Sequence, residues 1–452
     1  MRINQPGLRI LRLGDAMKSL WSKTEKLPGF PKLQQDIRAD VLIIGGGMAG
    51  ILCAYRLRAA GISAVLVEQN TLCSGVTGKT TAKITSQHGL IYESLLRRFG
   101  LEQARNYYLA NQEALRQYRE LCKGMDCDFE IRDNFVYARE HQQKLLKEFA
   151  ALQTIGAEAE WVASVPLPLS TAGAIRFPQQ AQFHPLKFVR SIVKDLQIFE
   201  HTKVQSFDGN RYHTDSAVIK AKKTIVATHF PLWNKHGLFP LKMYQHRSYV
   251  LALESSGRVD GMYVDEKNTG LSFRSAGDLL LLGGGGHRTG KQGGGWEELE
   301  DFAKRNYPKA KIHYRWATQD CMTLDGIPYI GQYSPNTPDL LVATGFGKWG
   351  MTSSMVAANI LTDLIQGKEN PYAALFSPSR SMLRPQLAVN AAESVWNLVT
   401  PTAPRCPHLG CALKWNKQEH SWDCPCHGSR FDEDGKVLDN PATGDLKNRP
   451  KL

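Results

Sequence analysis

No apolar run in this chain is long enough to cross a bilayer. The longest, Val41 to Tyr55, is interrupted by Gly45, Gly46, Gly47 and Gly50, whereas a spanning helix needs about 20 apolar residues. The first twenty residues carry basic side chains without the continuous apolar stretch and small-residue cleavage site of a secretory signal. A soluble, cytoplasmic protein is expected. There is also no basic arm: 56 Lys and Arg against 43 Asp and Glu give +13, but spread along the whole chain. That pattern predicts a diffuse positive surface in place of a nucleic-acid site, and the field would suit an anionic substrate or an acidic redox protein. Repeats and low-complexity tracts are missing apart from the glycine runs at 283–286 and 293–295, which read as loops after the apolar strand Leu279 to Leu282. Cysteine is sparse over most of the chain. Cys53, Cys73, Cys122, Cys127 and Cys321 are scattered and read as packing thiols, while Cys406, Cys411, Cys424 and Cys426 crowd together near the end.

What is present divides the 452 residues into parts. Such a length can bury two or three domains. Residues 1–38 read as a polar leader that wraps the surface and carries no chemistry. Residues 39–367 alternate strands with helices. Residues 368–404, with Pro371, Pro378, Pro385, Pro401 and Pro404, read as a linker, and residues 405–452 hold the cysteine cluster.

The first chemical signal is Val41-Leu42-Ile43-Ile44, an apolar run suited to a buried parallel strand, followed by Gly45-Gly46-Gly47-Met48-Ala49-Gly50 and a helical pattern through Leu57. In this G-x-G-x-x-G arrangement Gly45 permits a tight turn, Gly47 lets backbone approach a pyrophosphate, and Gly50 lets the helix pack closely. The helix N-terminus offers unpaired N–H groups and a positive dipole end. A second strand, Ala64 to Val67, ends in Glu68, at the offset for bonding a ribose hydroxyl. The stretch from Cys73 to Lys83, with Thr77, Gly78, Thr80 and Lys83, is small and hydroxyl-rich. It suits a cofactor longer than NAD.

These segments, with Thr224 to Thr228, Asp325-Gly326-Ile327-Pro328-Tyr329-Ile330-Gly331 and Ala343 to Met351, resemble the D-amino-acid-oxidase-like family of FAD-dependent oxidoreductases over most of residues 38–366. The resemblance implies a Rossmann-like α/β domain binding FAD and an interleaved antiparallel-sheet (α+β) substrate domain. It puts Val204, in a predicted strand, near the adenine. It also implies that Gly347, Lys348, Trp349, Gly350 and Met351 open a helix whose N-terminus faces the flavin, where a dipole and a lysine would favour the negative charge of the reduced ring. Many relatives carry an arginine a few residues before the Asp-Gly pair, where this chain has Asp320-Cys321. A carboxylate clamp is therefore missing. Arg247, Arg274 and Arg288 are possible substitutes but read as solvated cations. Cys321 reads as a buried thiol, and His229, His246 and His287 as structural, so no catalytic base is named.

The second signal is Cys406-Pro407-His408-Leu409-Gly410-Cys411 with Cys424-Pro425-Cys426-His427-Gly428-Ser429. Each loop offers a thiolate and an imidazole, a donor set open to zinc or to a two-iron cluster held by two cysteines and two histidines. The pattern resembles the Rieske family position by position. That resemblance implies a [2Fe-2S] cluster on Cys406, His408, Cys424 and His427, a Cys411–Cys426 disulfide pinning the loops, Ser429 as a hydroxyl donor to a cluster sulfur, and Asn440-Pro441-Ala442 as a shielding loop. Phe431 stands where a second donor, a tyrosine, is usual, so a potential in the lower Rieske range is predicted. The segment before Cys406 lacks the strands of a complete domain, so this small all-β module is expected to lean on the flavoprotein. Together the parts predict an enzyme that oxidises an amine or amino-acid-like substrate at FAD and passes electrons singly through the cluster to an external acceptor. The sequence does not fix the direction, and the cluster could instead feed electrons to FAD; other readings are an electron-transfer protein with no organic substrate, a flavoprotein acting on a modified tRNA base, and a cluster that merely staples the C-terminus.

Overall fold

A computed structural model describes residues 18–447 except 234–235, 255–256 and 402–403. The strand Ile37–Ile44, whose apolar half Val41 to Ile44 is buried, lies at the centre of an eight-stranded sheet, hydrogen-bonded in parallel to Ala64–Val67 on one side and Val218–Val226 on the other. Gln197–Phe199 and Leu340–Thr344 extend the parallel run. Helices Met48–Ala59 and Gly350–Gln366 pack against each other beside this sheet. Both are buried along most of their length, as elements between a sheet and its neighbours must be.

The second sheet has nine strands and is antiparallel except where Met262–Asp265 runs parallel to Glu130–Ala138. Its long strands Met243–Glu254, Leu279–Arg288 and Lys311–Thr323 pair around the first of them. The glycines at 283–286, read from sequence as a loop, lie inside the Leu279–Arg288 strand. They are there for proximity: a Cβ on Gly285 would stand 2.2 Å from the carbonyl of Gly295, at the start of helix Gly295–Asn306. The run at 293–295 does lie at the loop end leading into that helix.

Two other sequence readings are corrected. Within 368–404, Pro385 does not break structure but opens a 15-residue helix, Pro385–Val399, at a first-turn position where a missing N–H costs nothing. Val204 lies in a loop before the Ser206–Asp208 strand, although it is buried. Residues 1–17 of the leader lie outside the described residues. The rest of it is not a passive wrap: Leu20 and Trp21 are buried, the Trp21 indole donates to the Thr80 carbonyl at 2.6 Å, and the Ser19 hydroxyl donates to Gly78.

The last sheet has four short antiparallel strands, Lys414–Asn416, Ser421–Asp423, Arg430–Phe431 and Val437–Asp439. They enclose a small core of Leu413, Trp422, Phe431 and Ala442 with the four clustered cysteines. Among the described residues no helix is long and apolar enough to cross a membrane.

Candidate active site and cluster site

A cavity of about 1200 Å³ runs from the glycine loop to the second sheet. Gly45, Gly47, Met48, Ala49, Glu68, Thr77, Thr80, Lys83 and Val204 line one part of it, and Gly347, Lys348, Trp349, Gly350 and Met351 another. Gly45 takes φ +116°, and a Cβ on Gly50 would sit 2.0 Å from the Gly45 carbonyl. Gly50 therefore acts through packing and does not reach the cavity. Gly78 also stays behind the wall, where a Cβ would lie 2.4 Å from the Cys73 carbonyl. The Thr77 hydroxyl accepts from Met48 N–H at 2.9 Å, tying the hydroxyl-rich stretch to the first turn of the helix. Glu68 accepts from the N–H groups of Gly46 at 2.7 Å and Asn70 at 2.9 Å, and burial pushes its carboxyl up. Lys83 is buried beside Arg274, and desolvation, then that guanidinium, pull it down to about 7.

Gly50→Ala should therefore displace the helix from the glycine turn. Overpacking of this kind costs about 1–3 kcal/mol, so the flavin affinity should weaken roughly 5- to 150-fold, read as a lower flavin content in absorbance after gel filtration. Retention of full flavin content would refute the packing role.

At the far end of the cavity, Lys348 has φ +75° and its Nζ donates to the Asn268 carbonyl at 2.7 Å. Burial lowers its pKa against the pull of Asp320. Trp349 stacks on His88 with ring centroids 5.0 Å apart. His88, half-hidden in the sequence by its lack of a motif, is buried and bonds the Tyr107 hydroxyl at 2.7 Å.

The three arginines read as solvated cations are not. Arg247 and Arg274 are buried and Arg288 is largely so. Arg247 is engaged by the Glu419 carboxylate, Arg274 donates to the carbonyls of Thr81 and Ala82, and Arg288 donates to those of Pro425 and Cys426. None of them lines the cavity among the described residues. Cys321 is a buried thiol, as expected, although it touches the cavity wall, and desolvation pushes it well up. His287 bonds Tyr249 and its own chain, a structural arrangement, whereas His229 lines the cavity.

The cysteine–histidine loops meet as two tight turns. Gly410 N–H donates to the Cys406 carbonyl and Gly428 N–H to that of Cys424, both at 2.9 Å. Cys406 and Cys424 are buried thiols side by side, and Cys406 is held down to about 7, first by the neighbouring Cys424 thiol and then by the Ser429 hydroxyl. The rings of His408 and His427 meet edge to face at 5.0 Å. Cys411 and Cys426 are joined as a disulfide. Ser429 Oγ also accepts from Ala442 N–H at 3.0 Å, and Phe431 is fully buried with no hydroxyl to offer.

These loops do not stand apart from the rest. Gln245 Nε2 donates to the carbonyls of His427 at 3.1 Å and Asn440 at 2.7 Å, and Gln319 Nε2 donates to that of Gly428 at 2.8 Å. Asn440 in turn donates to the Thr228 carbonyl at 2.7 Å. Residues Val437, Leu438, Asp439, Asn440, Ala442 and Thr443 line the same cavity as the glycine loop.

The family model for FAD-dependent oxidoreductases (DAO) matches residues 40–364. The chain belongs to this DAO family. A Rieske [2Fe-2S] domain model matches residues 387–450 of the same oxidoreductase. A Bacillus subtilis protein named for its Rieske 2Fe-2S centre, YhfW, is 36% identical, with 96% of this chain and 97% of that protein covered. The gamma-glutamylputrescine oxidoreductase of Escherichia coli is 22% identical, with 82% and 95% covered. Glycine oxidase from Geobacillus kaustophilus shares the fold at a TM-score of 0.64 and 19% identity, over 76% of this chain and 99% of that one.

The residues fit both cofactors of the DAO and Rieske families. For FAD, the fit is the cavity whose wall at Gly45 and Gly47 has no side chain, with the N-terminus of helix Gly350–Gln366 at its other part. For the [2Fe-2S] cluster, it is two adjacent buried thiols beside a buried imidazole, His427, whose Nδ1 has no hydrogen-bond partner among the described residues. A buried nitrogen left so is costly unless something occupies it.

Proposed function

We propose that this oxidoreductase oxidises a small amine or amino-acid-like substrate at FAD, held by the residues from Gly45 to Lys83 and from Gly347 to Met351, and delivers the electrons one at a time through a cluster on Cys406, His408, Cys424 and His427 to an external acceptor. The observation that carries this reading is the shared cavity: Val437 to Thr443, from the cluster module, form part of the wall that also contains the dinucleotide fingerprint. Bound FAD supplies two-electron oxidation and the cluster supplies single-electron transfer.

The chain's own residues do the rest. The half-buried Lys348 ammonium and the N-terminus of the 17-residue helix Gly350–Gln366 put positive potential where negative charge develops on reduction. Gln245 and Gln319 fix the His427 and Gly428 backbone against the second sheet. An exit toward an acceptor is supported by His408, which is half-buried where His427 is buried. Beside it Leu409 is exposed, and helix Pro385–Val399 presents exposed Val395, Trp396 and Val399.

The test is anaerobic mixing of the as-isolated protein with pooled amines and amino acids, followed by flavin absorbance and low-temperature EPR. Bleaching with a Rieske signal is expected. If neither changes while dithionite elicits the signal, the substrate class is wrong and an electron relay with no organic substrate takes its place.

A further inference from the structure

The central strands of the second sheet meet both the cluster module and the cavity. Along Met243–Glu254, side chains alternate. Gln245, Arg247 and Tyr249 bond the cluster module through His427, Asn440 and Glu419. On the neighbouring strand Gln319 does the same through Gly428. The register pairs Ser248 with Thr318 and His246 with Asp320, so the intervening residues Ser248, Thr318 and Asp320 share the opposite face, and all three line the cavity.

We propose that this face is a cation site that takes the ammonium group of an alkylamine substrate, in place of the carboxylate that an arginine at the Asp320 position would hold. The inference rests on the reading that a small amine is oxidised in this cavity. Asp320 is 8% exposed, and among the described residues no Lys, Arg or His nitrogen makes a salt bridge to it. Of the groups that act on it, Lys348 Nζ bonds the Asn268 carbonyl, Arg247 pairs with Glu419, and His229, which also lines the cavity, is pushed towards its neutral form by burial against the pull of Asp320. Thr318, also 8% exposed, has a buried Oγ1 with no hydrogen-bond partner. A carboxylate and an open hydroxyl acceptor together match a group that only donates, as an ammonium does. A ligand carboxylate would instead meet like charge in a poorly solvated pocket, and Arg247, Arg274 and Arg288 all point away from it. Burial pushes the Asp320 carboxyl up, against Lys348, His229, Arg247 and the Ser248 hydroxyl, so a bound cation would add to the groups favouring its charged form.

The experiment is a titration of the flavin-loaded protein with n-butylammonium and, separately, butyrate, following the flavin absorbance. Saturable perturbation by n-butylammonium, weakened roughly tenfold or more in the near-isosteric Asp320→Asn, is the expected result. Perturbation by butyrate but not by n-butylammonium, or an unchanged n-butylammonium affinity in Asp320→Asn, would overturn it. The anaerobic bleaching test separates the two ideas. If amines bleach the flavin but Asp320→Asn binds n-butylammonium normally, only the cation site fails. If n-butylammonium binds through Asp320 yet no amine bleaches the flavin, only the oxidation reading fails.

Discussion

Glu419→Ala will detach the cluster module from the flavoprotein sheet. The Glu419 side chain is fully buried and accepts from Arg247 Nε at 2.9 Å, Arg430 Nη2 at 2.8 Å and the Tyr249 hydroxyl at 2.9 Å. Arg247 and Tyr249 belong to the large sheet, and Glu419 and Arg430 to the module, so one carboxylate joins the two bodies. Without it Arg430 keeps Asp423 and Asp439, but Arg247 keeps only Asp439 at 3.8 Å, a buried guanidinium nearly uncompensated. Removing one partner of a buried pair typically costs about 3–5 kcal/mol, which lowers the docking equilibrium constant more than about a hundredfold. Limited proteolysis within 368–404 should accelerate correspondingly, with flavin content retained.

The same contact has a pH signature. Burial alone would raise the Glu419 carboxyl, but Arg247 and Arg430 win and hold it down at about 2, against an ordinary value of 4.5. A depressed folded-state value means the anchor is at full strength above 4.5 and is lost as pH falls from there towards 2. Wild-type protein should show accelerated cleavage in that window, and Glu419→Ala should lack the transition. A variant as resistant as wild type at neutral pH would show that the module is held by something else.

Cys424→Ser should leave the flavin in place and cut the path beyond it. Cys424 is fully buried and does not line the cavity, so flavin content should match wild type. With one thiolate ligand gone, the Rieske EPR signal should be absent from the as-isolated and the dithionite-reduced protein. Turnover with a one-electron acceptor should fall by at least the roughly 10- to 100-fold that removing even an outer partner of a metal site costs. Anaerobic bleaching by an amine should persist. Undiminished turnover would mean that the cluster only staples the chain.

The legible parts of this molecule are those whose chemistry is contiguous. The glycine fingerprint and the run from Gly347 to Met351 each occupy a few successive residues, and both reach one cavity. The two cysteine–histidine loops are only a short hairpin apart. What could not be read depends on distant partners. Arg247 looked solvated because its counter-ion, Glu419, is 172 residues away. Gly283 to Gly286 looked like a loop because the helix that crowds them is invisible in the local pattern. Helix Pro385–Val399 was masked by the prolines of 368–404, although Pro385 sits where a helix tolerates it. The lining of the flavin cavity by Val437 to Thr443 had no local signal beyond the expectation that a minimal module must lean on its neighbour.

That lining brings the cluster module to the wall of the proposed flavin cavity, and anaerobic photoreduction tests the proposed electron path between them without any knowledge of the substrate. Flavin bleaching under illumination with a sacrificial donor would be followed beside the Rieske EPR signal, in wild type and in Glu419→Ala. Growth of the cluster signal in step with flavin reduction in wild type, and its lag in Glu419→Ala, is the predicted result. A wild-type flavin that bleaches completely while a dithionite-reducible cluster stays oxidised would contradict it.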